Sequence, residues 1–208
     1  MKKYSKKEEF LNTITHAIGI LLSLIAIFFL LNKALAIGQT VYIISFAVFG
    51  ISLLILYSAS TLYHGAKNIH RKKKLKIFDH AAIYVLIAGT YTPFALISLK
   101  GVWAWSIFSV EWGLALIGII LKLFYTGKYE KASTIAYVLM GWIVVIAVKP
   151  LLNNLSAQGV RWLFIGGGFY TVGALLYSIK KIPYNHAIFH VFVLLGSYSH
   201  FVSVYYYV

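Results

Sequence analysis

The stretch "YNHAIFHVFVLLGSYSH", Tyr184 to His200, reads as helix buried in hydrocarbon, yet it carries three of the chain's seven histidines. Its apolar character is typical of the whole sequence. Of 208 residues 61% are hydrophobic and only 12% charged, with three prolines. Apolar runs of about 20 residues recur from end to end, each long enough to cross a hydrocarbon core roughly 30 Å thick. Backbone groups find no water there, so such runs must be helices. The fold class expected is an all-α membrane protein, a seven-transmembrane helix bundle.

The seven spans expected are Phe10 to Leu31, Val41 to Tyr63, Ile77 to Leu99, Trp103 to Phe124, Ser133 to Val148, Val160 to Ile179 and Asn185 to Tyr207. The connections between them are short, so residues 1–208 read as a single domain. Lysine and arginine set the orientation. One side carries Lys2, Lys3, Lys6, Lys7, Lys67, Arg71, Lys72, Lys73, Lys74, Lys76, Lys122, Lys128, Lys131, Lys180 and Lys181, and the other only Lys33, Lys100, Lys149 and Arg161. Fifteen against four places the N-terminus in the cytoplasm and the C-terminus outside. The net charge of +14 is therefore explained by topology, and no nucleic-acid partner is implied.

A basic start followed by an apolar run and "ALA" at Ala34 to Ala36 admits a cleaved signal peptide. The length of the run and its polar entry, "EEFLNTITH", favour a retained first helix. "IGGGF", Ile165 to Phe169, lacks the lysine and hydroxyl of a phosphate loop and reads as close helix packing through small residues. Trp103, Trp105 and the C-terminal tyrosines stand where interfacial anchors are expected.

No cysteine is present, so any metal site must use histidine and carboxylate. Placed by depth, His64, Asp79, His80, His186, His190 and His16 all fall near the basic ends of their spans. Topology alone brings them to one leaflet but does not make them neighbours. His186 and His190 are four apart and share a helical face, able to hold one ion through two nitrogens. His64 would supply a third, leaving a tetrahedral zinc one open position for water. Ser60, a turn deeper than His64, would orient that ligand or polarise a substrate carbonyl. Asp79, the chain's single aspartate, reads either as a carboxylate beside a metal-bound water or as the N-cap of the third helix.

The histidine pair also has a plainer reading, since such residues bond backbone carbonyls or sit at the water interface. His70, within "HRKKKLK", reads as a solvated loop residue or part of a patch drawn to anionic lipid headgroups. His80 points about 100° away from Asp79 around the helix. His200 lies about 21 Å along the helix from His186, too deep to share its metal, and reads as a packing or hydrogen-bonding residue.

"SASTLYH" (Ser60 and His64), "FDHAAIYVLIAGTYTPF" (from Asp79), "NHAIFH" (His186 and His190) and "EEFLNTITH" (Glu9, Asn12, Thr15, His16) together resemble the bacterial hemolysin III branch of the progestin and adipoQ receptor family, relatives of the adiponectin receptors. The resemblance spans nearly the whole chain, with the motifs in order and on the matching helices. It implies a seven-helix fold with its N-terminus inside the cell, and a zinc near the cytoplasmic leaflet. The zinc ligands it implies are His64, His186 and His190, with Asp79 contacting the zinc-bound water. It also implies kinship with alkaline ceramidases, a bacterial cytoplasmic membrane location, and a role in lipid homeostasis under the names hemolysin and pore-former. Glu9, Asn12 and His16 fall on one helical face at the same leaflet and are candidates to support the ligands.

Three functions follow as expectations. A zinc-dependent lipid hydrolase, ceramidase-like, would cut an amide or ester of a membrane lipid, and a lipid-sized tunnel reaching the metal would favour it. A pore-forming cytolysin would need a polar stripe through several spans, whereas the polar groups cluster at one end. A lipid-responsive receptor would share the site without turnover.

Overall fold

The computed structural model describes residues 5–208; Lys2 and Lys3, counted above on the basic side, lie outside the described residues. Among the described residues there is no strand, and seven helical segments are long and apolar enough to cross a membrane. In chain order the helices are α1 (Lys6–Ile37), α2 (Thr40–Gly65), α3 (Ile69–Pro93), α4 (Gly101–Tyr125), α5 (Glu130–Gly141), α6 (Val148–Leu152), α7 (Ala157–Ser178) and α8 (Asn185–Tyr207).

Local chemistry sets the ends. Ser5 caps α1 by accepting the Glu8 amide at 3.1 Å, and Glu8 and Glu9 place negative charge on its first turn. Gly38, at φ 73°, ends it by donating its amide N–H to the Ala34 carbonyl. Asn68 caps α3 by accepting amides from His70 and Arg71 at 2.9 and 3.1 Å. Pro93 withdraws an amide from α3, and the helix passes into a π-helical turn over Phe94–Ser98.

Three expectations are corrected here. The third helix begins at Ile69, eight residues before the expected start, so His70 is an exposed helical residue and no loop residue. Asp79 lies well inside α3 and is not its N-cap, a role filled by Asn68. The fifth span is broken: α5 gives way at Trp142 to a 3-10 segment, Ile143–Ala147, before α6. The break is held from outside, because the Tyr91 hydroxyl bonds the Gly141 carbonyl at 2.9 Å and accepts the Val144 amide at 2.8 Å. The seventh span runs Asn185–Tyr207 as read.

α1 packs on α2, α2 on α3, α3 on α4 and α7 on α8, and α1 meets α8 to close the bundle. The first helix is thus built into the bundle. Lipid offers little hydrophobic drive for helices to associate, so close approach matters. A side chain at Gly19 would stand 2.5–2.8 Å from ring atoms of Tyr57, and one at Gly166, in the glycine run of α7, would collide with the His200 ring. Large apolar residues such as Leu21, Phe28, Leu116, Phe124 and Leu175 face outward, as a lipid-facing surface requires.

Candidate metal centre

At the basic end of the bundle, the last turn of α2 and the first turns of α8 bring three imidazoles together. His64, His186 and His190 are buried and each offers a nitrogen within 4.8 Å of the others. His64 Nε2 and His186 Nε2 stand 3.1 Å apart. Two nitrogens bound to one tetrahedral zinc at about 2.0–2.1 Å would stand about 3.3 Å apart. The observed spacing is therefore close to the edge of such a tetrahedron.

The partners of the other ring nitrogens fix which nitrogen is bare. His64 Nδ1 lies 2.8 Å from Glu9 Oε2, and an ionised carboxylate only accepts, so Nδ1 carries the proton and Nε2 the lone pair. His190 Nδ1 lies 3.1 Å from the Asn12 carbonyl and 3.1 Å from Thr15 Oγ1. The carbonyl likewise only accepts, and the Thr15 hydroxyl is spent donating to the Leu11 carbonyl at 2.8 Å. Both rings thus point Nε2 inward. Three neutral imidazoles suit a first-row dication such as zinc, copper or nickel, and the donor set fits a metal ion.

Surrounding residues hold this arrangement. Glu9 uses its second oxygen to accept from Lys72 Nζ at 2.6 Å, so one carboxylate ties α1 to α2 and α3. Lys72 also sits 5.4 Å over the Tyr63 ring. Asn185 donates to the Tyr177 and Ile179 carbonyls at 2.8 and 3.3 Å, fastening the start of α8 to the end of α7. The turn into α8 is made by Tyr184 in the left-handed region at φ 55°, an unusual conformation for a bulky residue.

Each sequence candidate has a definite place. Glu9 orients His64 through its carboxylate. Asn12 acts on His190 through its backbone carbonyl, and its buried side-chain amide lies 3.5 Å from His64 Nδ1. His16 stacks on His190 with ring centroids 3.6 Å apart and planes 11° apart. Ser60 and Asp79 are buried and line one cavity with His16 and with His186 and His190 of the clustered histidines. His80 lines the same cavity, and its backbone carbonyl accepts from Tyr137 at 3.0 Å. His200 donates Nε2–H to the Leu163 carbonyl at 3.1 Å. Thr15 and Lys72 were not singled out as site residues. Thr15 is visible in the polar entry of α1, whereas nothing in the run Arg71 to Lys74 marks Lys72 from its neighbours.

The cavity has a volume of about 160 Å³ and extends from His186 to His200 along α8. Fourteen residues of helix make that about 21 Å. Its far part is walled largely by apolar side chains, among them Leu86, Phe94, Val144, Leu163 and Phe164.

A multi-pass helical membrane protein with a buried histidine triad at its basic end is the class these features define. The chain belongs to the Haemolysin-III related family, whose sequence profile matches residues 4–201. It is 48% identical over 204 residues to the Hemolysin-3 homolog of Bacillus subtilis (strain 168), covering 98% of this chain and 96% of that protein. It is 46% identical over 202 residues to Hemolysin-3 of Bacillus cereus, covering 97% and 92%. A more distant relative is the human monocyte to macrophage differentiation factor, 28% identical over 166 residues, 77% of this chain and 68% of that protein. That match extends the resemblance to the progestin and adipoQ receptor family.

Proposed function

We propose that this protein is a zinc-dependent lipid hydrolase of the bacterial cytoplasmic membrane, cutting an acyl amide or ester whose chain lies among the helices. The single observation that carries the reading is the cavity, which joins polar groups beside the histidine cluster to a largely apolar bore running along α8. His64, His186 and His190 would hold the ion, which when bound would supply Lewis-acid polarisation and a water of lowered pKa.

The chain's own groups do the rest. The apolar bore takes the acyl chain and excludes bulk water. The Ser60 hydroxyl donates to the substrate carbonyl oxygen. The Asp79 carboxylate accepts a proton from the water that adds to the carbonyl carbon, and returns it to the amine or alcohol as the C–N or C–O bond breaks. The basic residues of the first turns of α3, with Lys67, favour the cytoplasmic side and attract anionic headgroups.

The test is turnover by purified protein with zinc quantified, over a panel of acyl amides and esters in mixed micelles. Wild type should consume more than one lipid per chain. Asp79→Asn should lose about 10²- to 10⁴-fold in rate. His64→Ala should lose the metal, read by elemental analysis and by anomalous scattering at the zinc edge. Zinc-loaded wild type that cleaves nothing would refute the reading. Dye-loaded liposomes carrying the protein should not leak, since the far part of the bore is walled largely by apolar side chains.

A further inference from the structure

We propose that His16 is the residue that hydrogen-bonds the exogenous oxygen or nitrogen ligand sharing the metal with the three histidines. This rests on the metal-centre reading above but not on any hydrolytic activity.

His16 is buried, and both of its ring nitrogens lack a hydrogen-bond partner among the described residues. Buried imidazoles ordinarily have one. Its orientation is set instead by ring contacts. One face stacks on His190 at 3.6 Å, and Tyr57 approaches in a T-shaped contact with ring centroids 5.1 Å away. Tyr57 reaches this place because Gly19 has no side chain, and its hydroxyl is anchored on Ser197 at 2.7 Å. The ring is clamped while its polar edge stays available, and it lines the cavity with Ser60, Asp79 and His190.

The stacking excludes His16 as a fourth histidine ligand. An ion on the His190 Nε2 lone pair lies in that ring's plane. The nearly parallel His16 ring directs its own lone pair along a different plane, 3.6 Å away. A further ligand on an ion held there would stand out of the His190 plane, and His16, stacked 3.6 Å over one face of that ring and lining the same cavity, is placed to meet it from that side. Whichever tautomer the ring takes, one nitrogen carries a proton to donate. The substrate carbonyl, or a carboxylate product, has the chemistry to accept it.

The test loads the full-length protein in detergent with Co²⁺ and titrates azide, following the visible d–d absorption. His16→Phe keeps the aromatic stack and removes the donor. It should retain one cobalt per chain and bind azide at least tenfold more weakly, a loss of about 1.4 kcal/mol. His16→Gln, which keeps an N–H, should recover most of the affinity. If His16→Phe does not fold, His16→Gln against His16→Leu carries the same comparison. Equal azide affinity in wild type and the donor-less variant, with cobalt bound to both, overturns this inference alone. Loss of cobalt from folded His16→Phe and His16→Gln overturns it too, by making His16 part of metal retention. Wild type that takes up no cobalt overturns the metal-centre reading along with it.

Discussion

His64 Nδ1 and Glu9 Oε2 stand 2.8 Å apart, joining the last turn of α2 to the first turn of α1 across 55 positions of sequence. The bond fixes the ring's tautomer and turns Nε2 toward His186. A carboxylate behind a ligating imidazole also makes it a stronger donor. Glu9→Gln should therefore weaken metal affinity by about 10- to 100-fold. Competition against a chromophoric chelator reads the change. Lys72→Ala, which removes only the second partner of the carboxylate, should weaken it less. Unchanged affinity in Glu9→Gln would show that packing alone orients His64.

Acid should strip the site. Each ligating nitrogen must be free of its proton to bind a cation, so metal binding releases protons and lowering the pH reverses it. Metal affinity is expected to be full in neutral or alkaline buffer and to fall on acidification. Retained metal after dialysis at stepped pH, read by atomic absorption, follows the loss. Metal content independent of pH would contradict ligation by imidazole.

Glu111 is the clearest cost in the bundle. It is completely buried in α4, and neither carboxylate oxygen has a partner among the described residues. Replacing an unpaired buried acid by an apolar side chain of similar volume removes a desolvation cost. Glu111→Met should stabilise the protein by about 1 to 3 kcal/mol. Its thermal midpoint in detergent should rise, while Glu111→Lys should lower it. A drop for Glu111→Met would mean that the acid has a structural role.

Tyr91 holds the broken fifth span from the neighbouring helix. Its hydroxyl serves the Gly141 carbonyl and the Val144 amide at once, the two backbone groups flanking the break. Tyr91→Phe leaves both without that partner in an environment with little water. The expected loss is about 1 to 3 kcal/mol, measured as a lower thermal midpoint. Hydrogen exchange should rise at Val144 while α8 stays protected.

Why some of this was readable and some not is a matter of range. The start of α8 could be placed from sequence because its apolar run follows Pro183 closely, and the four-residue histidine spacing is a local property of a helix. The start of α3 could not be placed, since a basic run looks like a loop even when Asn68 caps it and water solvates the charges. The break after Gly141 has no proline to announce it, and Tyr91, which holds it, comes from another helix. The entry motif of α1 pointed to Glu9, Asn12 and His16. The three distinct ways they act, by carboxylate, by backbone carbonyl and by stacked ring, depend on how α1 lies against α2 and α8.

That the Asn12 peptide group itself receives the His190 proton has a consequence for genetics. Replacing the side chain at position 12 leaves the oxygen where it was. Alanine or leucine scanning at position 12 will thus report on the buried side chain beside His64 Nδ1 and not on this oxygen, which only changes that displace the α1 main chain will expose.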